Sequence, residues 1–183
     1  PTGNAQGRIG NAVYFNGSGE QLLTLSSAPD MSTDPDFTIA FRIKPHADMA
    51  PGADIHWHFT IGDLEIRVGF AAGQTDAYVS ATAPSLSVSS GNVVPADVWS
   101  FVTVYFDGSD LHLDINDSEV DSAAGTSLGI ASPADGIEMG FYSTVGMALS
   151  VDEVGIWYGA NALTAAQRTT LYSGNYGQRP SFS

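Results

Sequence analysis

Residues 98–117, VWSFVTVYFDGSDLHLDIND, decide the fold. They read as two strands and the turn between them. In the first arm Val98, Val102, Val104 and Phe106 share one face, and Trp99, Phe101, Thr103 and Tyr105 share the other. Both faces are largely apolar or aromatic, which suits a central strand covered on both sides. Asp107-Gly108-Ser109-Asp110 follows. Asp-Gly between hydrophobic runs signals a hairpin, because glycine accepts a positive φ without a Cβ clash. In the second arm Leu111, Leu113 and Ile115 alternate with His112, Asp114 and Asn116. A period of two with one polar face places that face in water, whereas on a 3.6-residue helix the three apolar positions would scatter.

Working outward, the same reading gives strands at Asn11–Phe15, Gln21–Leu25, Phe37–Lys44, Ile55–Ile61, Leu64–Phe70 and Asp76–Thr82, with a shorter one at Leu86–Val88. Asn16-Gly17, Gly62-Asp63 and Ala72-Gly73-Gln74 read as turns, Gly91–Asp97 as a turn region, and Ser26–Asp36 and His46–Asp54 as loops. Beyond the central hairpin, Ser118–Asp135 reads as a Ser/Ala/Gly-rich loop, and Ile137–Tyr142 and Ala148–Tyr158 as the closing strands. One helix is expected over residues 165–172, opened by a capping box between Thr164 and Gln167 and stopped near Gly174. Residues 1–10 form a lead-in segment and 175–183 a polar tail. About a dozen short strands and one terminal helix predict a single all-β domain over 1–183, an antiparallel two-sheet β-sandwich.

Twenty Asp and Glu against six Lys and Arg give a net charge of −14. Such a surface repels phosphate backbones and anionic lipid, so neither nucleic acid nor a membrane is an expected partner. The chain has no cysteine, which removes disulfides, thiolate metal sites and cysteine nucleophiles. No apolar run is long enough to span a bilayer, and PTGNAQGRIG lacks the charged and apolar regions of a signal peptide.

Four stretches carry a resemblance: residues 10–17 (GNAVYFNG), residues 37–45 (FTIAFRIKP), Trp99 through Asn116, and Val151–Trp157 followed by Ala162–Gln167. In this order the chain resembles the concanavalin A-like lectin/glucanase superfamily, in its laminin G-like (pentraxin-like) branch. The resemblance implies a jelly roll. It does not choose among lectins, glycoside hydrolases, adhesive modules and appendages of bacteriophage particles, because one fold hosts many functions.

Retaining glycoside hydrolysis needs two carboxyls about 5–5.5 Å apart. The Glu-x-Asp-x-x-Glu strand that the hydrolase branch implies is absent, and the chain has five glutamates, Glu20, Glu65, Glu119, Glu138 and Glu153. Asp63 and Glu65 would share a strand face at roughly 7 Å, while Asp152 and Glu153 would point to opposite faces. No catalytic residue is therefore expected, and Asp152-Glu153 reads as structural. His56 and His58 share a strand face and could grip a metal, but without a clear third ligand they read as strand histidines flanking a core Trp57. No cofactor is expected. Calcium is the ion the resemblance leaves open, and Asp34-Pro35-Asp36 is the nearest approach to a ligand string, making Asp34 and Asp36 the candidate ligands. Trp99, Tyr105, Phe41 and Trp157 sit in strand runs and read as core. Tyr142, Tyr158, Tyr172 and Tyr176 lie near strand ends or the tail and are the candidate contacts for a sugar ring.

These readings converge on a non-catalytic surface accessory protein. The expected setting is a virion surface, as a decoration or appendage protein docked on a protein shell, with glycan binding as an added property. A stand-alone carbohydrate-binding or adhesive module of a bacterial surface is the alternative, and a glycoside hydrolase of the same fold the second.

Overall fold

A computed structural model of the chain describes residues 4–6, 11–47, 55–131, 136–141 and 145–173. They form two stacked antiparallel sheets. One sheet has seven strands in the order β1 (Asn4–Gln6), β2 (Asn11–Ser18), β13 (Val145–Tyr158), β4 (Phe37–Pro45), β9 (Ser100–Phe106), β10 (Asp110–Ile115), β11 (Ser118–Ala124). The other has six, β3 (Gln21–Leu25), β12 (Ile137–Phe141), β5 (Ile55–Ile61), β6 (Leu64–Phe70), β7 (Asp76–Thr82), β8 (Ser87–Pro95).

The period of two explains the core. Phe37, Ile39, Phe41 and Ile43 of β4, Val102, Val104 and Phe106 of β9, and Leu111, Leu113 and Ile115 of β10 point inward from the first sheet. Trp57, Phe59 and Ile61 of β5 and Leu64, Ile66 and Val68 of β6 meet them from the second. Phe41 stacks on Phe59, their ring centroids 6.3 Å apart, and packs against Trp57 at 6.0 Å. Burying each such side chain is worth about 1.5–3 kcal/mol, so this inner layer fixes the pairing register of every strand that contributes to it.

β9 is covered on both faces, as its composition requires, and every one of its residues is buried. The cover on its outer face is the C-terminal helix α1 (Ala165–Ser173). The Gln167 amide donates to Thr164 Oγ1 at 3.4 Å, and Gln167 Oε1 accepts from the Thr164 amide at 2.9 Å, so the capping box forms. The Arg168 guanidinium lies 3.6 Å from the Tyr105 ring centroid, and Tyr105 stacks on His112 at 4.4 Å. Leu163 N donates to Thr38 Oγ1, and Arg42 Nη2 donates to the Tyr172 carbonyl, fastening the helix at both ends. The polar side of β10 is therefore not open water: Asp114 is buried, with Arg168 Nε 4.0 Å away.

That burial has a pH signature. Desolvation, with Arg168 pulling the other way, raises the Asp114 carboxyl above its ordinary value. A raised carboxyl stabilises the fold below the unfolded-state pKa of about 3.9, and that contribution is lost as pH rises through the folded-state value. Asp114→Asn is expected to gain stability relative to the parent between pH 3 and pH 7, measured by urea unfolding at both; an unchanged difference would contradict the sign.

The polar segments depart from the sequence reading. Residues 118–124, expected as loop, form edge strand β11, whose side chains are mostly exposed. A chain paired by its backbone with no buried row shows no alternation to read. Its turn is specific all the same: Asn116 and Asp117 both have positive φ, 54° and 63°, as a type I′ hairpin demands. Gly91–Pro95, expected as turn, continues β8 past irregular pairing in which Gly91 has φ 64°. Asn16-Gly17 lies inside β2 rather than in a turn, and residues 4–6 of the lead-in pair with β2. Val98, assigned to the inner row, precedes β9 and is 52% exposed.

Candidate functional site

α1 covers the outer face of the seven-stranded sheet at β4, β9 and β10, whereas no helix among the described residues covers the outer face of the six-stranded sheet. Its side chains follow from alternation: wherever β5, β6 and β7 bury one residue, the next points out. Register then lines the outward residues into rows across the strands. One row runs Thr24, Glu138, Thr60, Glu65, Thr82, Ser87. The next runs Leu22, Gly140, His58, Arg67, Ser80, Ser89, and a third joins His56, Gly69, Tyr78 and Asn92.

The middle of this face is organised by Glu65. One carboxylate oxygen meets His58 Nδ1, and the other meets Arg67 Nη2 at 2.7 Å. Partial burial pushes this carboxyl up, but the hydrogen bonds and charges of Arg67 and His58 outweigh it and hold the carboxyl below its ordinary value. Tyr78 Oη lies 3.0 Å from His56 Nδ1, and the His56 and His58 rings meet edge to face at 5.5 Å. At the β3 end the first row drops into a groove of about 300 Å³, lined by Thr24, Leu25, Ser26, Thr60, Gly62 and Glu138. Leu25, 52% exposed, gives it an apolar wall, while hydroxyls and a carboxylate face it from the floor. That pairing of an apolar surface with a few convergent polar groups is what a sugar ring requires. A smaller cleft of about 190 Å³ is walled by Val13, Phe15, Leu23, Met139, Val151 and Val154, with Asp152 and Glu153 at its side.

The expected site residues that the structure describes lie outside these rows. Tyr158, 49% exposed, ends β13 on the other sheet, opposite Phe37 in register. Tyr172 packs on Phe101 at 6.0 Å within α1. Tyr142 and Tyr176 lie outside the described residues. The Asp34 carboxylate accepts from the Leu128 amide at 2.7 Å, and the main-chain carbonyl of Asp36 accepts from the Gly159 amide at 2.7 Å. Among the described residues no group of three or more His, Asp or Glu side chains is placed to hold a metal ion. His56 and His58 do share one face, but their partners are Tyr78 and Glu65. Asp152 and Glu153 sit at a break in the β13–β4 pairing, where Glu153 has φ 54°. The Asp152 carboxylate accepts from the Glu153 amide, and Glu153 binds Arg42 at 2.7 Å.

One constellation was invisible in the sequence. His46 Nε2 lies 2.9 Å from Ser150 Oγ, and His46 Nδ1 lies 3.5 Å from Asp97 Oδ1. The order is that of a serine nucleophile, its base and an orienting acid. Ser150, however, is 0% exposed, and a hydroxyl sealed in the middle of a strand offers a substrate carbonyl no approach. The cluster acts as a strap, beside backbone bonds from the His46 amide to the Ala148 carbonyl and from the Asp97 amide to the Pro45 carbonyl.

The family model described as "Concanavalin A-like lectin/glucanases superfamily", of laminin G type, matches residues 16–167. The chain belongs to that superfamily. The jelly-roll resemblance drawn from four stretches therefore holds over most of the chain, and the two-sheet sandwich is the fold expected of it. No curated protein matches in sequence. Among solved structures, the binding domain of Paraclostridial Mosquitocidal Protein 1 is similar at TM-score 0.72 and 14% identity, over 93% of this chain and 45% of that one. The chain thus spans under half of that structure. Domain 4 of AbnA, an extracellular GH43 arabinanase from Geobacillus stearothermophilus solved with arabinotriose, is similar at TM-score 0.62 and 18% identity, covering 92% of this chain and 80% of that one. The ligand-binding domain of botulinum neurotoxin serotype D, solved with N-acetylneuraminic acid, is similar at TM-score 0.60 and 15% identity, covering 90% and 46%. At these identities the likeness is one of fold. No helix among the described residues of this laminin G-type chain is long and apolar enough to cross a membrane.

Proposed function

We propose that the chain is a non-catalytic carbohydrate-binding domain that holds a glycan on the outer face of its six-stranded sheet. The observation that carries this reading is the polar array on that face, with the groove at Thr24, Thr60 and Glu138 at its end. Two structures of similar fold solved with sugars, the arabinanase domain and the neurotoxin domain, support it by analogy of fold. Hydrolysis fits the face poorly. A general acid needs a raised carboxyl pKa, and Glu65, clamped by Arg67 and His58, is shifted the other way.

Thr60 is the test position, since it lies between Glu138 and Glu65 in register and is partly exposed. Thr60→Trp should abolish retention on polysaccharide-containing native gels while leaving thermal unfolding unchanged. Tyr158→Ala, on the other sheet, should leave retention intact. The reverse pattern would move the ligand to the tyrosine surface and defeat the proposal.

A particle-surface setting is a second reading, favoured by the surplus of 20 acidic over six basic residues, which suits docking on a basic shell. Co-sedimentation with a shell protein that weakens as salt rises would support it, and a chain indifferent to every shell protein offered would remove it.

A further inference from the structure

Resting on the reading of the six-stranded face as the glycan site, we infer that this site takes an uncharged linear polysaccharide, held crosswise over the strands and selected against acidic glycans. The charges decide the first part. Facing outward are the carboxylates of Glu65, Glu138 and Asp76, one guanidinium, Arg67, and the imidazoles of His56 and His58. Arg67 is bound to Glu65 at 2.7 Å, so the one strong cation of the face among the described residues is already spent on a carboxylate. Elsewhere Arg42 and Arg168 are held against the outer face of the seven-stranded sheet, by Glu153 and over the Tyr105 ring. A carboxylated or sulfated sugar entering the face meets Glu138 and a body of net charge −14. Like charges brought together oppose binding, whereas neutral hydroxyls can donate to the same carboxylates.

The rows decide the second part. Thr24, Glu138, Thr60, Glu65, Thr82 and Ser87 follow one another across all six strands, each at least partly exposed. Five inter-strand gaps of about 4.8 Å make a track of roughly 24 Å, room for several sugar units rather than one chain end. Each position carries a hydroxyl or a carboxylate, matched to a polymer that presents hydroxyls along its length.

The experiment titrates the full chain with linear arabinan and xylan, and with polygalacturonate and polysialic acid, at 20 mM and 150 mM salt. Neutral polymers should bind with affinity changing less than about twofold with salt, and acidic ones at least about tenfold more weakly at 20 mM, where screening is least. Oligosaccharides should gain affinity beyond the trisaccharide. Glu138→Lys should narrow the gap between the two classes. Acidic polymers bound equally well, a gap untouched by Glu138→Lys, or a plateau at one sugar would overturn the inference while leaving a glycan site in place. Failure to bind any of the four polymers would instead remove the glycan reading itself.

Discussion

Replacing Arg42 by Ala should cost about 3–5 kcal/mol in chemical denaturation, the range for stripping one partner from a buried ion pair. Arg42 sits mid-strand in β4 and is 1% exposed. Its Nε donates to Glu153 Oε2 at 2.7 Å, its Nη2 to the Tyr172 carbonyl at 3.2 Å, and its plane lies over the Phe101 ring at 4.9 Å. The alanine variant leaves the Glu153 carboxylate facing an apolar sheet without its cation. It also frees the C-terminal end of α1, so limited proteolysis should cut the helix before the sandwich opens. Arg42→Lys should recover only part of the loss, because an ammonium cannot match the planar fork that serves two acceptors and a ring. The double variant Arg42→Met, Glu153→Gln should lose less than Arg42→Ala alone, since no uncompensated charge remains. If Arg42→Ala unfolds with unchanged free energy, the ion pair is not what holds the helix down.

That arginine marks where sequence reading stops. Periodicity in β4 separates Phe37, Ile39, Phe41 and Ile43 from Thr38, Ala40, Arg42 and Lys44, and the structure keeps that division. What alternation cannot say is whether the second row meets water or another element. Here Thr38 and Arg42 are almost fully buried beneath the helix and its approach. The same gap explains Asp114, read as solvent-facing and found beneath α1. Edge strand β11 was illegible for the opposite reason: with no buried row, its pairing lives in backbone bonds and the Asn116-Asp117 turn, not in hydrophobic spacing. The strands that build the inner layer were legible because each carries an apolar row that only one register buries.

The candidate site was legible in parts and not as a whole. His56 and His58 could be placed on one face from their spacing. That Glu65 would reach His58 depends on the β5–β6 turn at Gly62-Asp63, which sets Thr60 opposite Glu65 and His58 opposite Arg67. Glu138 joins the row only through β12, more than seventy residues away in sequence from both, and nothing local announces that. The tyrosines drew attention because exposed rings stack on sugars, yet Tyr172 is a packing residue and Tyr158 belongs to the other sheet. The surface favoured here is instead built from small hydroxyls and carboxylates in register, whose individual positions look like ordinary strand exteriors.

Gly140→Ala should be among the most damaging single methyl additions in the described chain, at about 2–6 kcal/mol, combining a backbone outlier with overpacking. Gly140 lies in β12 between Leu22 of β3 and His58 of β5, with φ 137°, a conformation that a side chain rarely adopts. A Cβ there would overlap the Gln21 carbonyl oxygen and approach Leu22 Cα at 3.1 Å. Both obstacles are backbone, so no rotamer change relieves them. Either β12 abandons its φ or β3 moves away, and β3 is an edge strand held by β12 alone in its sheet. The second route costs less, because an edge has one ladder to lose. Hydrogen exchange should therefore show β3 amides losing protection in the variant while β6 and β7 keep theirs. Since Thr24 and Leu25 of β3 line the groove, glycan retention should fall together with β3 protection, at temperatures where the remaining sandwich stays folded. By contrast Gly73→Ala, at φ 77° in an open turn with nothing within 4 Å of the new methyl, should cost only the backbone strain, about 1–3 kcal/mol, and leave retention untouched. Equal losses for the two variants would mean that φ alone, and not the contact with β3, sets the penalty at Gly140.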